Sequence, residues 1–371
     1  MRILHVIQEL GTGGAERILV SAYRGAQAAG HDVFVAAAPG PLGAELDDEV
    51  FPLPLVRRRP TRLPAAALAI RRAVRRARPD VIHAYNPTMA LAAGLVTRRG
   101  RRPPGLVNLQ GVAESDWPAT VRLVRVSGLA PVACGPGVAA ALEEHGLPPL
   151  ATVPNAVGPA PAPADRSALE REWGSPLLLA VGRLVEQKNH ALAIRALAEV
   201  PGATLVIAGE GPLRSELEGV AADAGVAGRV VLAGVRTDAR ALMGAADAVV
   251  LPSRWEGLPL TALEALASGT PLVATNVRGL RELLVDGENA LLVPEEPGAL
   301  NVFDYRNGLL TDEASIAPGG GYGFGPRHLD FHPTQPWVYV SLERQNRLDM
   351  FAFHDMTLMA APIFQVVGQL R

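Results

Sequence analysis

From residue 1 to about residue 295 the chain alternates short apolar runs with longer stretches of helical periodicity, and nothing else restricts its fold as much. Residues 3–7 read as a strand, 15–28 as a helix and 33–38 as a strand, with further strands at 80–83 and 131–134. A Gly-Pro-Ala-Pro-Ala-Pro stretch at 158–163 interrupts the series and reads as a hinge or linker. Strands resume at 177–181, 204–208, 230–233, 248–251 and 271–274. Two successive strand–helix series predict an α/β chain of two doubly wound parallel-sheet domains. Ligands of such sheets bind beyond the carboxyl ends of the strands. The loops after Ile7, Val181, Ala208 and Leu251 are therefore where chemistry is expected.

Each of those loops carries residues suited to an anionic ligand. Gly11-Thr12-Gly13-Gly14 lies between a strand and a helix, so its backbone can approach a phosphate or sugar closely. It is not the dinucleotide fingerprint, because Glu16 stands where that motif has its third glycine, and this disfavours a dinucleotide oxidoreductase. Arg183 and Lys188 put two cations five positions apart at another strand end, and Gly209-Glu210-Gly211 follows the third strand. The fourth loop runs into Glu256, and Glu264 lies inside the next helix. Pro259 suits that helix's first turn and Gly269 its stop. Leu260, Leu263 and Leu266 flank Glu264, which predicts a buried carboxylate in need of a partner. A diphosphate fits this set: a fork from Arg183, a point charge from Lys188, and the amides of Gly257 and Leu258 at a helix N-terminus. At roughly 1.5–3 kcal/mol per charge-assisted hydrogen bond, several together hold a nucleotide without a metal. No Asp-x-Asp metal motif occurs in the sequence.

Composition narrows the partners. Of 35 basic residues only Lys188 is a lysine, which marks a place for a compact point charge. A net charge of −2 argues against nucleic acid as a partner. The single cysteine, Cys134, excludes an internal disulfide and suits a reducing compartment. No apolar run approaches the ~20 residues of a membrane span, and the N-terminal residues turn polar too soon for a signal peptide. A cytoplasmic location is expected. Thirteen arginines and one acid, Asp80, fall between Arg57 and Arg102, with Arg71, Arg72, Arg75 and Arg76 at helical spacing beside an apolar remainder. Such a helix suits an anionic membrane surface, so peripheral association with the inner face of the membrane is a further expectation.

Four features together resemble glycosyltransferase family 4, retaining enzymes of the GT-B fold. They are Gly13-Gly14-Ala15-Glu16-Arg17, Val153-Pro154-Asn155, Gly182-Arg183 with Lys188, and Glu256 with Glu264. The resemblance covers about residues 1–298. It implies an N-terminal Rossmann-like domain on the acceptor side (1–157), a nucleotide-sugar-binding Rossmann-like domain (158–298), and a cleft between them. It further implies a UDP- or GDP-sugar donor, no metal or other cofactor, and an acceptor that is a glycan, a lipid or a small molecule. By resemblance, Arg183 and Lys188 bind the diphosphate and steady the leaving group. Glu264 holds the ribose hydroxyls, Glu256 faces the sugar ring, and Glu210, Gly257 and Leu258 line the donor site. Gly13 and Gly14 bring the N-terminal domain close to the donor phosphate and the acceptor. Family members often carry a His near the sugar where this chain reads Asn108-Leu109-Gln110-Gly111. Gln110 can hydrogen-bond a sugar hydroxyl but cannot take a proton; His83, at another strand end, is a substitute candidate. Glu256, Arg183, Lys188 and Gln110 form the expected catalytic set.

Near residue 300 the character of the chain changes. Residues 1–300 hold seven aromatics and residues 301–371 hold ten, and alanine, abundant before, occurs only five times after. Alternation over 337–342 and 348–353 predicts strands. Where the family continues with helices, the last crossing back onto the N-terminal domain, this tail resembles a fragment of the lactonase family of seven-bladed propellers. In that family Arg327 and His328 would lie near the active-site channel; His328 and His332 lack a third ligand nearby. Some 71 residues make one blade and part of another, so the fragment cannot close. The whole then reads as a chimera, with residues 299–371 an all-β propeller-blade fragment. Three functions follow as expectations: a metal-independent retaining glycosyltransferase, a nucleotide-binding chimera that has lost transfer, or, from the tail alone, a sugar-lactone hydrolase.

Overall fold

The computed structural model describes residues 1–47, 50–56, 60–97, 103–287, 289–293, 300–306, 309–316, 326–331, 337–342, 347–354, 357–358 and 364–367. They fall into two compact units: residues 1–270 with 277–283, and residues 271–276 with 284–371. Arg57 to Arg59, Arg98 to Arg102, His332 and the boundary expected at 298/299 lie outside the described residues.

The first unit opens with β1 (Arg2–Glu9), α1 (Gly14–Ala28), β2 (Asp32–Ala38), β3 (Val50–Pro52), α2 (Leu63–Ala77), β4 (Val81–Ala84) and α3 (Pro87–Thr97). It continues with β5 (Gly105–Leu109), α4 (Trp117–Ser127), β6 (Ala130–Ala133), α5 (Pro136–Glu144) and β7 (Ala151–Thr152). The seven strands form one parallel sheet in the order β3-β2-β1-β4-β5-β6-β7. β1 is buried on both faces, which is why it reads as a near-continuous apolar run. Leu4 and Val6 join a cluster with Met89, Trp117 and Ile70; Ile7 joins the opposite one with Leu19 and Tyr23. Each such side chain contributes about 1.5–3 kcal/mol on full burial.

Beyond residue 158 come α6 (Arg166–Trp173), β8 (Leu177–Val181), α7 (His190–Ala196), β9 (Thr204–Ala208), α8 (Arg214–Asp223), β10 (Val230–Gly234), α9 (Ala239–Met243), β11 (Ala248–Leu251) and α10 (Leu260–Ser268). In this second parallel sheet the first unit contributes β10-β9-β8-β11. Strand order reverses at β1/β4 in one sheet and at β8/β11 in the other. These reversals are the places where a doubly wound sheet opens a crevice.

Three expectations change on contact with the structure. The apolar stripe of α2 (Ala66, Ile70, Ala73, Ala77) is buried in the protein's own core, while Arg71, Arg72, Arg75 and Arg76 are exposed together with Leu68. An amphipathic helix whose apolar stripe packs into its own domain meets an anionic surface chiefly through its charges. The linker is anchored: Ala164 N–H donates to Ala241 O at 2.9 Å, and Arg240 Nη2 donates to the carbonyls of Gly158 (2.7 Å) and Pro159 (2.9 Å). Pro259 is the extended residue before α10 and not its first helical residue, whereas Gly269 ends the helix in the left-handed region as expected. Among the described residues no helix is long and apolar enough to cross a membrane.

The second unit contains the parallel pair β12 (Leu272–Thr275) and β13 (Leu291–Val293), then antiparallel strands only. β14 (Leu300–Arg306) and β15 (Leu309–Ile316) form a hairpin. β16 (Pro326–Phe331), β17 (Trp337–Leu342) and β18 (Arg347–His354) form a meander; β19 (Thr357–Leu358) and β20 (Phe364–Val367) both pair with β18. The two strands expected in the tail are thus present as β17 and β18. Arg327 and His328 lie in β16.

Candidate active site

The loops after β8 and β11 leave the sheet on either side of its reversal and are tied to each other. Arg254 N–H donates to Gln187 O (2.9 Å), Gln187 Nε2 donates to Trp255 O (3.0 Å), and Arg254 Nη1 pairs with Glu186 (3.0 Å). At the centre Lys188 Nζ meets Glu256 Oε1 at 2.5 Å, and Ser253 Oγ donates to the same oxygen at 2.7 Å. Glu256 is 7% exposed. A buried carboxylate persists because an ammonium and a hydroxyl replace its water. The Lys188 stem lies across Gly182: a side-chain carbon there would sit 3.2 Å from Lys188 Cγ. Arg183, one residue on, is exposed, and among the described residues its side chain makes no hydrogen bond or ion pair. The loop thus offers one cation held at the carboxylate and one open to a ligand. His190, behind them at the start of α7, is pushed down to about 4 by burial, so it adds no third positive charge at neutral pH.

The other expected residues take distinct positions. Glu264 projects from α10 with its side chain 15% exposed and lies 3.7 Å from Arg240 Nε. Burial pushes its carboxyl up from its ordinary value, against the pull of Arg240 and Arg17. Arg17 belongs to the first turn of α1, where Gly13 caps the helix without a side chain and exposed Gly14 faces Leu260 of α10. The Gly13-Gly14 loop therefore does stand opposite the start of α10. Glu210 is exposed and pairs with Arg214 of α8 at 2.8 Å.

Gly257 and Leu258 lie elsewhere than an open helix N-terminus. Both are buried, and α10 starts only at Leu260. A side-chain carbon at Gly257 would run into Gly111 N, and one at Gly111 into Gly257 N, so only two glycines permit this approach of the β5 and β11 loops. The Leu258 amide faces the thiol of Cys134, which burial pushes up to about 12. Gln110 sits in the same junction: Nε2 donates to Asn108 (3.2 Å) and Oε1 accepts from Asn155 Nδ2 (3.2 Å), which also donates to Leu258 O (2.7 Å). Its carboxamide keeps one N–H and one lone pair for other partners. His83 is pushed down to about 4 by burial and stacks on Tyr85 at 4.4 Å. Two residues that matter here, Arg240 and Arg278, carry no sequence signal, because each works through partners between 24 and 164 positions away.

Three family models match successive stretches of the chain. A model of the Glycosyltransferase Family 4 domain matches residues 12–160, and one of the Glycosyl transferases group 1 domain matches residues 162–312. A third, of the lactonase 7-bladed beta-propeller, matches residues 298–367. A lipopolysaccharide core biosynthesis glycosyltransferase, LpsE of Rhizobium meliloti, is 31% identical over 233 residues, covering 61% of this chain and 64% of that protein. A glycogen synthase of Mycobacterium tuberculosis is 35% identical over 240 residues, covering 58% and 56%. The chain thus spans less than two thirds of either relative. Among solved structures, Anabaena HepE in complex with UDP and glucose superposes with a TM-score of 0.68 at 22% identity, covering 80% of this chain and 86% of that one. Sucrose-phosphate synthase of Thermosynechococcus elongatus superposes with a TM-score of 0.66 at 20% identity, covering 80% and 86%. Two Rossmann-like parallel sheets, the paired loops at the second reversal and two family models that tile residues 12–312 agree: the chain carries a family 4 glycosyltransferase domain followed by a group 1 glycosyltransferase domain, in the GT-B fold.

Proposed function

We propose that the chain transfers a sugar from a UDP- or GDP-sugar to an acceptor hydroxyl, with retention and without a metal. The observation that carries this reading is the Lys188–Glu256 pair at the β8/β11 reversal with Arg183 open beside it. In this reading residues 1–157 form the acceptor side and 158–298 the donor side. Arg183 and Lys188 hold the diphosphate, Glu264 accepts from the ribose hydroxyls, and Glu256 orients the sugar ring and Lys188 together. The acceptor oxygen forms its bond to the anomeric carbon as the bond to the diphosphate breaks. The bonding pair leaves with the diphosphate, which takes up the acceptor's proton. No enzymic nucleophile is needed, so the rate depends on positioning and on charge stabilisation of the leaving group. HepE, described with UDP and with glucose, supports a uridine nucleotide as the first donor to try.

We also propose that the chain is a chimera, because the lactonase model takes over at residue 298 while the group 1 model ends at 312. In that case nucleotide binding persists and transfer is the property at risk. The exposed arginines of α2 supply an electrostatic contact to an anionic membrane surface, without apolar insertion, and the chain acts in the cytoplasm. Calorimetric titration with UDP and with GDP, in the absence of metal, tests the donor site. Binding that weakens at least about tenfold in Lys188→Ala supports it. Absence of binding to both nucleotides overturns it, and hydrolysis of a sugar lactone without nucleotide binding would favour the tail's family instead.

A further inference from the structure

We propose that Arg278 is a positioning residue for the Lys188–Glu256 pair, acting as an ionic latch between the turn at 277–283 and the N-terminal domain. This rests on the site assignment above but goes beyond it, since nothing in the family motifs includes Arg278. Its guanidinium forks onto Glu144 at the end of α5, with Nη2 at 2.9 Å and Nη1 at 3.2 Å from the two carboxylate oxygens. Nε lies 2.9 Å from Glu114, and Nη1 reaches Gly137 O at the start of α5 at 3.5 Å. The arginine side chain is 20% exposed while Glu144 and Glu114 are 54% and 62% exposed, so the latch sits at the surface with its cation half-withdrawn. The Arg278 hydrogen bond holds the Glu144 carboxyl below the ordinary range.

What the latch holds is the next residue. Gly279 has φ +89°, and a side-chain carbon on it would run into the carbonyl oxygen of Gly257 and lie 2.6 Å from that of Glu256. Its N–H donates to Glu282 Oε2 at 2.5 Å, and Glu282 packs against Gly137 of α5. The turn is therefore pinned at two points on α5 and presses its backbone onto the carbonyls of Glu256, which carries the candidate carboxylate, and of Gly257. Releasing Arg278 frees the turn, and the Glu256–Gly257 segment loses the surface that fixes it against Gly111.

Hydrogen exchange of the peptide covering residues 253–260 tests this on the full chain. Exchange is read for the unaltered protein, Arg278→Gln, Glu144→Gln and the double variant, at low salt and in 1 M NaCl. The latch predicts exchange faster by roughly three- to tenfold in each single variant, no further increase in the double, and the same acceleration of the unaltered protein by salt. Melting temperatures within about 3 °C of one another keep general unfolding out of the comparison. Additive effects of the two substitutions, or unchanged exchange in Arg278→Gln, overturn the proposal. These readings do not involve nucleotide, so they stand or fall separately from the donor-site titration.

Discussion

At the scale of single residues, the site depends on contacts that leave little room for exchange. Gly182 exists beneath the Lys188 stem, so Gly182→Ala should displace the ammonium by a few tenths of an ångström while keeping its charge. The expected result in a UDP titration is a loss of affinity of about threefold, smaller than that of Lys188→Ala. Glu264 stands between desolvation, which raises its pKa, and the arginines that oppose it. In the proposed reading its ionised form accepts from ribose, so UDP affinity should fall as the carboxyl protonates on acidification, at a higher pH than an ordinary glutamate would. Arg240→Met removes the nearest opposing cation and should shift that fall to higher pH; profiles that coincide would show that Glu264 does not contact the nucleotide.

At the scale of elements, β1 and β4 carry a buried pair with a pH signature. His5 is pushed down to about 3 by burial and by neighbouring His83, which burial itself pushes to about 4; His5 Nδ1 lies 3.0 Å from Tyr85 Oη. The unfolded chain takes up these protons near pH 6.5, the folded chain only far below it. Stability from the two neutral rings is complete above about pH 6.5 and is lost progressively as pH falls toward 4. Melting curves from pH 7 to pH 4.5 should show a drop that is smaller in His83→Phe than in the unaltered chain. The strands themselves were readable because parallel strands buried on both faces need unbroken apolar runs, as 177–181, 204–208 and 248–251 have. β3, β7 and β13 carry no signal because two or three residues show no periodicity and the proline in β3 argues against a strand; β5 carries none because Gly105 and Asn108 interrupt its apolar run. Lys188 and Glu256 were each legible as unusual residues. Their pairing was not, since 68 positions separate them and only the strand order brings them together. Cys134 and Asn155 likewise gain their meaning from Leu258, more than a hundred positions away.

At the scale of the whole molecule, the two units differ in kind: the first is built of parallel sheets wrapped by helices, and the described strands at the end of the second are antiparallel. Under the proposed chimera, a blade fragment that does not close keeps unpaired backbone groups at its margins. Limited proteolysis should therefore cut C-terminal to about residue 294 before it cuts within residues 1–283, which mass spectrometry of the surviving fragment checks. A tail that survives as long as the sheets would show that it folds into a stable unit of its own.

The chain's near-total preference for arginine has a practical consequence. Its 35 basic side chains include one primary amine, on Lys188, with 16% of its side chain exposed and held against Glu256. An amine-selective acylating reagent can modify only that residue and the chain's own amino terminus. The rate of labelling at Lys188 is thus a direct optical or mass readout of how often the pair opens, and a nucleotide that engages the ammonium should protect it without any engineered probe.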